Sequence, residues 1–143
     1  MLLKEPGGEA VLPIWIGVFE ANAIAMSLEG VEAPRPMTHD LLSASLKAAN
    51  VKVDKIVISD LSDSTFYATL YLSVGEGGEV VTVDARPSDA LALALRTEAP
   101  IFVFDSVIEA AQSADLARES PDEDRLKEWL EDIAPDELGD YEM

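Results

Sequence analysis

Cysteine is absent from the 143 residues, so disulfides, thiolate zinc sites and cysteine nucleophiles are all excluded. Histidine occurs once, at His39, which is too few for a multi-histidine zinc site. No apolar run approaches the roughly 20 residues that a membrane-spanning helix needs. The start, Met1-Leu2-Leu3-Lys4-Glu5-Pro6, lacks a signal-peptide core. These absences predict a cytoplasmic protein with no membrane partner. Phosphate-cradling loops are missing too: there is no Gly-x-Gly-x-x-Gly, and Gly75-Glu76-Gly77-Gly78 has no lysine or hydroxyl placed to hold phosphate. No nucleophile elbow accompanies His39, which excludes the familiar serine-hydrolase arrangement.

Positive charge is also scarce. Ten Lys and Arg stand against 28 Asp and Glu, for a net charge of −18. Residues 1–118 hold 17 acids and 8 bases, whereas residues 119–143 hold 11 acids and 2 bases. Half the excess therefore sits in the last 25 residues. This predicts one domain over 1–118, followed by an acidic C-terminal helix and tail over 119–143, its helix anchored by Leu126, Trp129, Leu130 and Ile133. A protein this acidic is repelled by phosphate backbones at long range. Deleting Pro135 to Met143 is therefore expected to strengthen nucleic-acid binding at low salt.

What is present suffices for a folded core: 48% of residues are hydrophobic and 27% charged. Leu12 to Phe19 reads as a buried strand, and Glu20 to Glu29 as a helix closed by Gly30. After the stiff Pro34-Arg35-Pro36 connector, Thr38 is a natural N-cap and Leu41, Leu42 and Leu46 give that helix a buried face. Asn50 closes it. Val51 to Ser59 and Thr65 to Val74 read as strands. In the second, Phe66, Ala68, Leu70, Leu72 and Val74 alternate with Thr65, Tyr67, Thr69, Tyr71 and Ser73. Val80 to Asp84 continues the antiparallel meander. Pro87 opens an alanine–leucine helix, apolar throughout. Ile101 to Phe104 is a short strand and Ser106 to Ala114 a helix. The predicted class is α+β, a single domain with a mixed, largely antiparallel sheet and packed helices.

Three clusters carry chemistry. Pro34-Arg35-Pro36-Met37-Thr38-His39-Asp40 is a basic and polar segment at a helix start, suited to anion binding or to plain capping. Asp84-Ala85-Arg86-Pro87-Ser88-Asp89 places two carboxylates, a guanidinium and a hydroxyl around another helix start. Its acids suit a shared divalent cation, or a simple Asp–Arg pair. Glu20 and Glu29, with Asp60 and Asp63, form a third group that helix-dipole and turn effects explain.

Taken together, these segments resemble the bifunctional nuclease domain family of bacteria, archaea and plants. The resemblance rests on Leu12-Pro13-Ile14-Trp15-Ile16-Gly17, Glu20-Ala21, Ala23-Ile24-Ala25, Leu28-Glu29-Gly30, Pro34-Arg35-Pro36 and Thr38-His39-Asp40-Leu41-Leu42. It continues through Asp60-Leu61, Thr65-Phe66-Tyr67-Ala68, Asp84-Ala85-Arg86-Pro87-Ser88-Asp89-Ala90, Ala94-Leu95-Arg96 and Ala99-Pro100-Ile101. It implies nuclease activity on DNA and RNA. It also implies a strand-sized segment ahead of Met1 that this chain lacks, so an open sheet edge is expected at the N-terminus.

Two functional classes follow. In the first, His39, Asp84 and Asp89 are catalytic; Arg35, Arg86 and Ser88 bind substrate; and Asp84, Asp89, Asp40 and Glu20 hold Mg²⁺ or Mn²⁺. In the second, the chain is a non-catalytic oligomeric module that recognises a small anion or a protein partner. The two helix starts are expected to share a cleft that gathers Arg35, His39, Asp84, Arg86 and Asp89. Tyr67 and Tyr71, opposite the core residues of their strand, predict a homodimer.

Overall fold

A computed structural model describes residues 1–114. The predicted acidic helix and tail, with the boundary at 118, lie outside the described residues. Strands β1 (Leu2–Lys4) and β2 (Val11–Pro13) pair antiparallel as a small separate sheet. Helix α1 (Val18–Leu28) and helix α2 (Thr38–Ala48) follow. Then comes the meander of β3 (Val51–Ser62), β4 (Thr65–Val74) and β5 (Glu79–Ala85). Helix α3 (Pro87–Thr97), strand β6 (Ile101–Val103) and a fourth helix, α4, over residues 105–114 complete the described chain. The main sheet has the order β5-β4-β3-β6, antiparallel except that β6 runs parallel to β3. The class is α+β, as predicted.

The meander follows from local chemistry. Asp63 and Ser64, both with positive φ, make the two-residue turn whose twist suits a hairpin. The alternation in β4 settles its faces: Ala68, Leu70 and Leu72 are buried, while Tyr67 is exposed on the other side. Helix α3 explains its own composition. One side lies on β3 and β4, and the other is covered by α1 and α2. A helix packed on both sides has no polar stripe to offer, and Ala90 to Ala94 are all buried. Val107 and Ala111 of α4 extend the same core, as do Leu12, Ile14 and Ile24.

Three local expectations are corrected. The run Leu12 to Phe19 is not one strand. Pairing ends at Pro13, Gly17 caps α1, and Val18 and Phe19 lie exposed in its first turn. A short β-branched run cannot by itself be told from the start of a helix, and β1 is only three residues long, too short to hold a longer partner. The N-cap of α2 is Met37 rather than Thr38, and the Asp40 carboxylate accepts the Met37 N–H at 3.0 Å. The α2 face is also narrower than its leucines suggest. Leu46 packs against the core, but Leu41 and Leu42 are exposed, because α2 rests on α3 and β3 along one side only.

Candidate functional site

Three helices bring charged side chains to one place. Asp89 sits in the first turn of α3, where the helix dipole favours a carboxylate. Its Oδ1 lies 2.9 Å from His39 Nε2 of α2, and its Oδ2 accepts a hydrogen bond from Arg86 Nε at 2.9 Å. Arg86, the N-cap residue of α3, reaches with Nη1 to Glu20 Oε1 of α1 at 3.4 Å. Gly17 makes room for this pair, since a Cβ there would collide with the Glu20 carboxylate. The result is a chain of opposite charges, His39–Asp89–Arg86–Glu20, linking α2, α3 and α1.

A second link runs beside it. Arg96, in the last turn of α3, donates from Nε to Asp40 Oδ1 at 2.6 Å, from Nη1 to the Ala92 carbonyl and from Nη2 to the Ala23 carbonyl. Its side chain is only 10% exposed, so this guanidinium works as an internal clamp among the three helices. Both links border a cavity of about 350 Å³, lined by Phe19, Glu20, His39, Arg86, Asp89 and Arg96 among others.

The electrostatics reflect these partners. Burial pushes the Asp89 carboxyl up, yet the hydrogen bonds from Arg86 and His39 outweigh it and hold the group below its ordinary value. Asp40 is likewise held down, first by the Met37 N–H and then by the Arg96 guanidinium. The carboxylate of Asp89 raises the pKa of Arg86, which stays charged at every pH of interest.

Of the residues singled out from the sequence, the structure gathers His39, Arg86, Asp89 and Glu20, with Asp40 on the adjoining link. Ser88 is buried in the first turn of α3 and lines a second cavity that Arg86 also borders. Arg35 and Asp84 are not members of the cluster. Asp84 pairs in register with Thr69, so it points to the sheet face away from α3. The expected single cleft therefore gathers three of its five residues.

Arg96 was not foreseen as a site residue, although one signal existed: an arginine closing an otherwise apolar helix must find partners or reach water. The carboxylates are oxygen donors of the kind that Mg²⁺ takes. Here Glu20, Asp40 and Asp89 are each engaged by a cation, and among the described residues no group of three acids or histidines converges on a metal-sized space. As arranged, this donor set does not fit a divalent cation. Also among the described residues, no helix is long and apolar enough to cross a membrane.

Comparison with known proteins identifies relatives of this chain. A family model described as the bifunctional nuclease domain matches residues 1–115. An uncharacterized protein of Mycobacterium tuberculosis is 38% identical over 147 residues, covering 96% of this chain and 87% of its own length. Bifunctional nuclease 1 of Oryza sativa subsp. japonica is 27% identical over 104 residues, 72% of this chain and 31% of the rice protein. Bifunctional nuclease 2 of Arabidopsis thaliana is 26% identical over 132 residues, 88% of this chain and 40% of that protein. The chain thus spans less than half the length of these two plant relatives. With the family match covering most of its residues, the chain belongs to the bifunctional nuclease domain family.

Proposed function

We propose that this protein is a nuclease that hydrolyses phosphodiester bonds of DNA and RNA at the His39–Asp89–Arg86 cluster. The observation that carries the reading is the chain's lone histidine, hydrogen-bonded to a carboxylate that is itself gripped by an arginine on a cavity wall. The plant relatives named as bifunctional nucleases support nucleic acid as the substrate class.

Asp89 accepting from Nε2–H leaves Nδ1 of His39 as the basic nitrogen. As a water oxygen attacks phosphorus, Nδ1 takes the proton that the water loses. The P–O ester bond breaks, and the proton passes to the leaving alkoxide, so one water is consumed and one ester bond cleaved. Arg86 turns from Glu20, the longer of its two pairs, to the phosphate oxygens and stabilises their developing charge. Arg96 and Asp40 hold the start of α2, and therefore His39, in place. For Mg²⁺ or Mn²⁺ to take Asp89 and Glu20 as ligands, Arg86 must first leave both.

The competing reading, a binding module for a small anion or a protein partner, draws on the same cations. The test is incubation of pure protein with single- and double-stranded DNA and RNA, with and without a chelator, beside His39→Ala and Asp89→Asn. Cleavage by wild type that both variants lose supports the nuclease. Equal degradation by all three proteins identifies a contaminant and favours the binding module. Loss of wild-type activity with chelator assigns a metal to the reaction.

A further inference from the structure

Two cavities meet at the site, one of about 350 Å³ that holds His39 and one of about 280 Å³ that holds Ser88. Glu20 and Arg86 are the two residues common to both linings, so their ion pair is the wall between the spaces. Arg86 meets its two carboxylates at different edges of the guanidinium. Nε donates to Asp89 at 2.9 Å, while Nη1 stands 3.4 Å from Glu20 Oε1. The first is the length of a charge-assisted hydrogen bond, and the second is well beyond it. The Arg86 side chain is also 66% exposed, and a loose pair that faces water is weak and readily exchanged. The position of Glu20 is nevertheless prepared. A Cβ at Gly17 would collide with Glu20 Oε2, so the carboxylate lies over a residue that has no side chain. Gly17 has φ −70°, which any residue adopts; what glycine supplies here is room for Glu20.

We propose that Glu20 is a latch on the substrate site. Its carboxylate holds the outer edge of Arg86 in the place of a phosphate group, and an incoming phosphate displaces it and joins the two cavities into one cleft. Asp89 keeps Nε throughout, so the guanidinium stays anchored while its terminal nitrogens turn to the phosphate. A phosphate offers two oxygens to that planar fork and chloride offers a single centre, so the latch yields to phosphate and resists simple anions. The latched chain does not bind, and its apparent affinity is reduced by the fraction of molecules that stand open. The proposal rests on the nuclease reading for the fate of the phosphate, but not for its binding.

The test uses the untagged chain, whose single histidine gives one set of imidazole signals beside Asp89. Inorganic phosphate is titrated at fixed pH, with ionic strength held constant by chloride, and His39 is followed by NMR. Glu20→Gln is expected to bind phosphate about two- to fivefold more tightly than wild type, the range set by one exposed ion pair. Gly17→Ala is expected to move in the same direction, because its methyl displaces the Glu20 carboxylate while both charges remain. Arg86→Gln is expected to lose the site, and circular dichroism confirms that each variant is folded. In cleavage of a short oligonucleotide, Glu20→Gln is expected to lower KM by the same factor and to leave kcat within about twofold. A pair that only supports the fold would cost stability and leave phosphate affinity and KM unimproved, which overturns the proposal. Phosphate binding retained by Arg86→Gln also overturns it, as does the lack of a saturable shift in every protein. Tighter binding in Glu20→Gln but not in Gly17→Ala is an effect of net charge alone, and the latch is overturned. The expected phosphate pattern without cleavage of DNA or RNA strikes the nuclease reading alone. Cleavage whose KM ignores Glu20 strikes the latch alone.

Discussion

His39 Nε2 and Asp89 Oδ1 lie 2.9 Å apart although fifty positions separate them in the chain. The next residue, Asp40, pairs with Arg96 seven positions further along α3. Two adjacent side chains of α2 thus span about 10 Å of α3, from its first turn to its last. This crossing fixes where the imidazole stands, and Arg96 is its most buried component.

Arg96→Ala is expected to destabilise the protein by about 1–3 kcal/mol. It removes three hydrogen bonds, to Asp40, Ala92 and Ala23, and leaves the Asp40 carboxylate without its guanidinium partner. Asp40, 38% exposed, regains some solvation, which keeps the loss below that of a fully buried pair. Urea denaturation measures it. Arg96→Lys is expected to recover only part, because an ammonium cannot present the planar fork that reaches both Asp40 and Ala23.

Much of this arrangement was legible in the sequence, and the parts that were not have physical reasons. The β4 alternation and the Pro87 helix start are set by neighbouring residues, so they could be read directly. The sharing of one site by the segments around His39 and Arg86 was an expectation about distance, and the α2–α3 crossing decides it. Asp84 and Asp89 look equivalent in the sequence, yet a strand's two-residue period sends Asp84 to the far side of the sheet. Leu41 and Leu42 read as core because their hydrophobicity does not reveal how wide a face α3 leaves for α2 to cover. Arg96 was hidden for the same reason, since its partners come from α1 and α2.

The acid limb of stability is expected to depend on Asp40 and Asp89. Both are held below their ordinary value in the folded protein, so the unfolded chain binds protons more readily. Their contribution is fully present above the unfolded carboxylate pKa of about 3.9, and is lost as pH falls through the lower folded values. Thermal melts from pH 7 to pH 2 check this. Asp40→Asn and Asp89→Asn are expected to melt lower at neutral pH and to show a shallower acid fall than wild type; an unchanged acid slope in both contradicts the assignment.

A homodimer remains our proposal for the assembled state. Tyr67 and Phe102 lie exposed on the face of the main sheet away from α3. Between them, Lys55 Nζ sits 4.7 Å from the centre of the Tyr71 ring, covering it in part. Sedimentation equilibrium at micromolar concentration is expected to return about twice the 15.4 kDa chain mass. Tyr67→Lys is expected to shift that mass toward the monomer, whereas a wild-type mass near 15 kDa contradicts the dimer.

The cooperation of His39 with Asp89 is tested most directly by a double-mutant cycle on cleavage of a short single-stranded oligonucleotide. His39→Ala is expected to lower kcat/KM by about 10²- to 10⁴-fold, the usual worth of a positioned proton-transfer group. Asp89→Asn is expected to cost nearly as much, because it removes the acceptor that sets the imidazole's tautomer and orientation. The account predicts that the double variant is no worse than His39→Ala alone, as for residues that act as one unit. Costs that multiply, or an Asp89→Asn protein that cleaves like wild type, would contradict it.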